Sequence, residues 1–307
     1  MRKRNINYKV FVEKSAAFLE NYIKENRLNS VVIGISGGID STVSAAIASI
    51  ACKNANVPLI GRSLPGSTNK NEEVNTATLV GNAFCDDFKE VSIEGMYAYT
   101  LCDLIANEGE LNNIQKGNIK ARLRMIYFRN LASLKGGIVL DNDNLSEYNL
   151  GFWTVGGDSP MDLNLGLHYL WKTEVYELAN YLADGYATNA EFLEERNEDS
   201  SEYRNKFNAL LDSINLTPTD GNGVSKSDCE QFGLDNYEQV DDVLQTMYYP
   251  ETINVCGLNV TIEGNERYIR LIDSYNEQGV DKVMVLHQNT EYKRKDAPIK
   301  PKFEDLQ

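Results

Sequence analysis

The sequence of 307 residues predicts an α/β fold, a doubly wound parallel sheet with helices on both faces. Three observations lead there. The run VVIGISGGIDSTVSAAIAS, Val31 to Ser49, joins an apolar strand directly to a glycine-rich turn and then to a helix. Strand-length apolar runs then alternate with helix-length segments, the signature of repeated βαβ units. No long Pro, Ser or Gly linker and no internal repeat divides the chain, so 1–307 reads as one domain.

The elements follow in order. Phe11, Phe18, Leu19, Tyr22 and Ile23 recur at helical spacing, which places a helix on the sheet ahead of the first strand. Strands are expected at Val31–Ile35, Leu59–Ser63, Lys89–Ile93 and Gly137–Leu140, with helices around 41–50, 71–84, 97–107 and 115–134. The segment LWKTEVYELANYL, Leu170 to Leu182, carries a buried stripe of Val175, Leu178, Ala179 and Leu182. The acidic stretch Glu191–Glu202 falls in a segment, about 185–215, read as a surface insertion. LTPTDGNGVSKS, Leu216 to Ser227, has the Gly-rich polar composition of a mobile connection. The remainder, 216–307, is expected to return to the site. In doubly wound sheets a ligand sits beyond the carboxyl ends of the strands at the switch point, where the SGGIDS turn lies.

That turn has two readings. As a pyrophosphate cradle, Gly37 and Gly38 take φ > 0 and bring N–H groups against phosphate oxygens, Ser36 and Ser41 add hydroxyls, and the helix starting near Ser41 points its positive end at the same place. Asp40 then implies Mg²⁺, because a carboxylate beside phosphate is repulsive without an intervening cation. The other reading is an ordinary Gly-rich strand-to-helix turn with a Ser N-cap. The spacing matches neither Gly-x-x-x-x-Gly-Lys-Ser/Thr nor Gly-x-Gly-x-x-Gly.

Composition excludes several classes. With 45 acidic and 30 basic residues and a net charge of −15, the chain lacks the basic footprint of a nucleic-acid binder. Cys52, Cys85, Cys102, Cys229 and Cys256 form no Cys-x-x-Cys pair, so reduced thiols are expected rather than a zinc ribbon or a redox dithiol. There is no signal-peptide core and no apolar run near the ~20 residues of a membrane span, which leads to a cytoplasmic location. Within this acidic protein, KGNIKARLRM (Lys116–Met125) gathers Lys120, Arg122 and Arg124, either for binding or as a solvated helix face. Lys172 stands at the N-terminal end of its helix, an unfavourable place for a cation, so something anionic must compensate it.

Taken together, the SGGIDS turn, Arg62 and Pro65, the GNIKAR helix, Asn144-Leu145-Ser146-Glu147, Gly157-Asp158, Lys172 to Ala179, Pro218-Thr219 and Tyr292-Lys293-Arg294 occur in the order found in the NAD synthetases, a branch of the PP-loop ATP pyrophosphatases, and the chain resembles them over nearly its whole length. The resemblance implies the adenine-nucleotide alpha-hydrolase-like fold. It also implies amidation of deamido-NAD by ammonia through an acyl-adenylate, giving NAD, AMP and pyrophosphate, with ATP as co-substrate and Mg²⁺. By resemblance Gly34, Ser36, Gly37, Gly38, Asp40, Ser41, Arg62, Asn142, Lys172 and Thr219 contact ATP. Asp40 and Glu147 bind the metal, and Arg122, Asp162, Tyr292 and Lys293 contact deamido-NAD. Asp40 and Lys172 carry the chemistry. A homodimer with deamido-NAD near its interface is implied as well.

The chain departs from the family at several points. Asn142-Asp143-Asn144 replaces Thr-Asp-His, Val155 stands where a lysine is expected, Tyr292 replaces His, and Leu165 lies near the position of a missing proline. The span from Lys172 to Thr219 is also longer than usual. Only 35 residues precede Ser36 and none is Cys, which leaves no room for a nitrilase-type amidase domain and points to free ammonia as nitrogen donor. A separate glutaminase subunit is the alternative. Another PP-loop enzyme, tRNA-modifying or of amidotransferase type, and a catalytically impaired nucleotide-binding homologue are the competing functions. The Leu216–Ser227 segment is expected to close over the adenylate and exclude water.

Overall fold

The computed structural model describes residues 4–219, 227–248, 252–255, 258–261, 264–295 and 300–306. Asn7 caps α1 (Tyr8–Asn26), its side chain accepting from the Val10 N–H, and Phe11, Val12, Ala16, Leu19 and Ile23 turn one face of that helix inward. Alternating strands and helices follow: β1 (Ser30–Gly34), α2 (Ile39–Ala55), β2 (Leu59–Ser63), α3 (Asn71–Phe84), β3 (Asp87–Glu90), α4 (Glu94–Glu108), α5 (Asn113–Lys135) and β4 (Gly137–Asp141). After α6 (Leu145–Leu150), a two-residue β5 (Leu163–Asn164) completes the sheet. Its order is β3-β2-β1-β4-β5 with every pairing parallel, so β1 is central and the chain reverses direction between β1 and β4. Val31, Val32 and Ile33 of β1 are fully buried, as a strand covered on both faces must be.

The first strands and helices lie near where the sequence places them, although α2 runs on to Ala55, and the sheet shows two differences. The third strand begins at Asp87 rather than Lys89, because the Arg62 guanidinium pairs with Asp87 and ties that residue into the sheet. β5 carries no periodicity at all, being two residues held by β4.

The long segment after Lys172 is a helical hairpin. α7 (Lys172–Glu195) runs unbroken through the start of the expected insertion, and α8 (Ser201–Asn215) returns along it and packs on α2 and α3. Ala209 and Leu210 are fully buried in the main core, and Ser213 bonds Thr42 of α2 through their hydroxyls at 2.7 Å. One face of this segment is therefore interior.

The rest of the chain is α9 (Asp228–Phe232), α10 (Tyr237–Tyr248), an antiparallel pair β6 (Thr252–Val255) and β7 (Leu258–Thr261), α11 (Gly264–Ser274) and α12 (Glu277–Asn289). Their apolar residues Phe232, Val240, Val243, Leu244, Val280 and Val283 form a second core that includes Leu150 of α6 and Trp171 at the head of α7. Cys52 is buried and Cys102 exposed; Cys52, Cys85, Cys102 and Cys229 are free thiols, while Cys256 lies outside the described residues. Among the described residues no helix is long and apolar enough to cross a membrane.

Candidate active site

A cavity of about 940 Å³ opens beyond the carboxyl ends of β1, β2 and β4. Its floor is the SGGIDS turn. Gly37 has φ +86°, and a Cβ there would meet the Glu73 carbonyl at 2.5 Å and the Ala77 nitrogen at 2.9 Å, so only glycine fits under α3. Gly38 does not share that conformation: at φ −68°, ψ 158° it is the N-cap of α2, which starts at Ile39 and not near Ser41. Ser36 and Ser41 organise the turn. The Ser36 N–H donates to Ser41 Oγ (3.3 Å), the Gly38 N–H to Ser36 Oγ (3.2 Å), and Ser41 Oγ donates to the Gly38 carbonyl (3.0 Å). Below the turn, Gly34 allows the Phe128 ring of α5 to lie 2.9 Å from where its Cβ would stand.

Three charged residues from three elements meet above this floor. Asp40 comes from the first turn of α2, Glu147 from α6 and Lys172 from the first position of α7. Lys172 Nζ donates to Asp40 Oδ2 at 2.5 Å and to Glu147 Oε1 at 3.0 Å, and lies 5.1 Å from the centre of the Tyr237 ring. Asn144 locks the group: its Oδ1 caps the Glu147 N–H (3.0 Å) while its Nδ2 donates to Asp40 Oδ1 (2.8 Å). Burial works against the Lys172 charge, but Asp40, Glu147 and Asp228 outweigh it and hold the ammonium well above its usual range. Burial raises Glu147, with Lys172 opposing the shift and Asp40 adding to it. The anion that Lys172 required at a helix N-terminus is thus a pair of carboxylates from the protein itself. The donor set also suits Mg²⁺: two hard carboxylate oxygens on separate elements converge on one cationic atom, and a small divalent ion favours such ligands.

The remaining predicted residues are distributed around this centre. Asn142 lines the cavity; its Nδ2 donates to the Gly34 carbonyl (3.2 Å) and its Oδ1 is buried with no hydrogen-bond partner among the described residues. Thr219 reaches the cavity because its hydroxyl donates to Glu73 Oε1 (2.6 Å) on α3. Arg62 also borders it, with its guanidinium engaged by Asp87 and the Gly61 carbonyl. Lys293 sits under the end of α6, donating to the Gly151 carbonyl (2.6 Å) with its Nζ 5.5 Å from the centre of the Trp153 ring. Burial lowers its pKa, which Asp158 and Asp143 counteract. Arg122 donates to the Val155 carbonyl (3.3 Å), and Tyr292 is exposed at the rim. Asp162 is not brought to the cavity: one carboxylate oxygen is taken by Arg129 and the other accepts the Val139 N–H at 2.9 Å. Lys120 is not on a solvated face but buried, donating to Thr68 at 2.8 Å.

Several residues of the site gave no signal of their own. Asn144 was legible only as the first residue of the Asn144-Leu145-Ser146-Glu147 turn, and its capping of Glu147 comes from the structure. Asp228 and Tyr237 reach the centre, and Glu73 the cavity wall, through tertiary packing that no spacing encodes. Of the Leu216–Ser227 segment, residues 220–226 lie outside the described residues, and Thr217 and Thr219 line the cavity.

Comparison with known proteins sets this geometry in context. The family model for NAD synthase matches residues 11–297. The NH(3)-dependent NAD(+) synthetase of Pyrococcus furiosus is 28% identical over 305 residues, covering 99% of this chain and 98% of that protein. The protein of the same name from Thermococcus sibiricus is 34% identical over 179 residues, 58% of this chain and 67% of the relative. Among solved structures, an NMN synthetase from Francisella tularensis superposes with a TM-score of 0.69 at 23% identity, covering 97% of this chain and all of that one. An NH3-dependent NAD synthetase from Campylobacter jejuni gives 0.61 at 19%, covering 96% and 99%. At these identities the structures establish a shared fold.

Proposed function

The chain belongs to the NAD synthase family, and from that premise we propose that it is an ATP-dependent ligase that amidates deamido-NAD with ammonia. The observation that carries this reading is the meeting of Asp40, Glu147 and Lys172 over the SGGIDS turn. A carboxylate is a poor acceptor for ammonia. Its oxygen therefore attacks the α-phosphorus of ATP, pyrophosphate leaves, and an acyl-adenylate forms. Ammonia then adds to the carbonyl carbon, loses a proton, and expels AMP, which keeps the attacking oxygen. Backbone N–H groups of the turn and the start of α2 receive the phosphates. Lys172 faces the charge that gathers on the departing pyrophosphate, where a fixed cation is worth most. Asp40 and Glu147 would hold Mg²⁺, which when bound offsets triphosphate charge. No protein nucleophile is needed, since the intermediate is carried on the substrate.

The rest of the reading has the same standing. Residues 1–307 are taken as one NAD synthetase domain, cytoplasmic, with the C-terminal helices closing the site through Lys293 and Tyr292. A homodimer is inferred from apolar side chains exposed on α5, Ile114 and Ile126, beside Arg122.

The experiment is a single incubation with ATP, Mg²⁺, ammonium chloride and deamido-NAD, read as NAD and AMP in equal amounts. Absence of both products defeats the reading, and equal rates with glutamine in ammonia-free buffer defeat the choice of nitrogen donor. One observation favours a second reading of the substrate. Asp162 is turned away from the cavity and Val155 replaces a lysine, so two contacts that the resemblance implies for deamido-NAD are missing. Nicotinate mononucleotide, which carries the same carboxylate on a shorter body, is therefore run beside deamido-NAD. A higher kcat/KM for the mononucleotide selects the shorter substrate.

A further inference from the structure

Asp241 is a carboxylate with no exposure to solvent, on the helix that also carries Tyr237. Its helix, α10, is fixed by the buried apolar side chains Val240, Val243 and Leu244 in the second core. One oxygen of Asp241 accepts the Ser146 hydroxyl, and the other accepts the Thr173 N–H at 3.0 Å. Ser146 Oγ in turn accepts the Lys172 N–H at 2.8 Å. Ser146 is the residue before Glu147, and Thr173 the residue after Lys172. One buried carboxylate thus grips the heads of α6 and α7, the two short stretches of backbone from which Glu147 and Lys172 project.

The arrangement is also what two helix N-termini require. Their first N–H groups have no partner within the helix and favour a negative charge. At α7, Trp171 N–H is satisfied by Glu174 (2.9 Å), Lys172 N–H by Ser146 and Thr173 N–H by Asp241. The Asp241 pair to Ser146 and Thr173 is the only one of these that joins both helices to a third element. A lysine side chain has four rotatable bonds, so its Nζ is only as well placed as the backbone that carries it.

We propose that Asp241 is a positioning residue that fixes Lys172 and Glu147 relative to one another and so sets the charge arrangement facing the triphosphate. This rests on the reading of Lys172 as the cation that meets the departing pyrophosphate. Asp241 touches no substrate and acts through the two residues it holds.

A double-mutant cycle tests it. Asp241→Asn keeps the size of the side chain and removes its charge, and Ser146→Ala cuts the bridge to the Lys172 N–H while leaving Asp241 in place. Product formation from ATP, ammonia and deamido-NAD is measured for each variant alone and in the Lys172→Met background. Thermal unfolding of every protein confirms that the folded fraction is the same. The expected result is that Asp241→Asn and Ser146→Ala each lower kcat by about tenfold or more with a smaller change in the ATP KM, and that neither lowers the residual rate of Lys172→Met further. An equal fold-loss in both backgrounds overturns the proposal, because the residue then acts independently of Lys172. Unchanged kcat in both single variants overturns it too, as does a loss matched by the loss of folded protein. If the wild-type protein makes neither NAD nor AMP, it is the proposed function that fails, which separates the two outcomes.

Discussion

Lys172 carries its charge where a helix repels one, and it is tolerated because Asp40 and Glu147 are closer to its Nζ than the helix end is. Removing one of the two carboxylates therefore alters the charge balance and, under the proposed function, the metal affinity. Glu147→Gln is expected to lower turnover by about 10²-fold at ordinary Mg²⁺, the usual loss when one fixed charge is removed from a transition-state site, with the fold kept. Near wild-type turnover in that variant would exclude Glu147 as a metal ligand. Asp241 supplies a pH dependence of another kind. Burial, only partly offset by the bonds from Ser146 and Thr173, pushes its carboxyl from 3.8 to about 7. The folded protein thus keeps a proton that the unfolded chain releases, so this group favours folding fully below its unfolded pKa, and that contribution is lost as pH rises through about 7. Urea unfolding of wild type and Asp241→Asn at about pH 5 and about pH 8 should show the difference moving in favour of the variant at the higher pH. A difference independent of pH would show a carboxyl with its ordinary affinity for protons.

At the scale of elements, what could be read from the sequence was what is local. β1 is built on the apolar run Val31–Ile33 and β2 opens with Leu59 and Ile60, α3 and α5 have their boundaries within two residues of the expected ones, and the glycine turn lies where the strand ends. β5 was invisible because its two residues exist as a strand only by pairing with Leu140 and Asp141. The α7–α8 hairpin was misjudged for a related reason: its acidic outer face dominates the composition, while the face that matters, Ala209, Leu210 and Ser213, is a sparse pattern completed by α2 and α3. Leu210→Ala is accordingly expected to cost about 2–5 kcal/mol in urea unfolding, as for any fully buried leucine, where a surface residue would cost little. Because α8 leads straight into Leu216–Thr219, the same variant should raise the ATP KM. An unchanged KM would separate the hairpin from the site.

Across the whole molecule, the site is assembled from both halves of the chain. Asp40 and Glu147 belong to the alternating strands and helices of the first half, whereas Tyr237 and Asp241 come from α10, which shares a core with α6 and the head of α7, and Lys293 from the turn that follows α12. Sequence resemblance located the charged centre and missed the residues that brace it, since bracing depends on which helix ends happen to meet. The proposed dimer belongs to this scale as well: sedimentation at micromolar concentration should give twice the mass of the chain, and Ile126→Glu should shift it to monomer. A monomer with full activity would detach the interface from catalysis. The second core has one more consequence. The protein has only two tryptophans: Trp153 stacks on the Tyr148 ring and neighbours the Lys293 ammonium at the cavity wall, and Trp171 is the residue before Lys172. Trp153 thus lines the cavity while Trp171 is buried in the second core, so a ligand entering the site should alter the emission of the first indole directly and that of the second only through the head of α7. Titration with nucleotide in a fluorimeter then reads occupancy directly, without a label and without turnover.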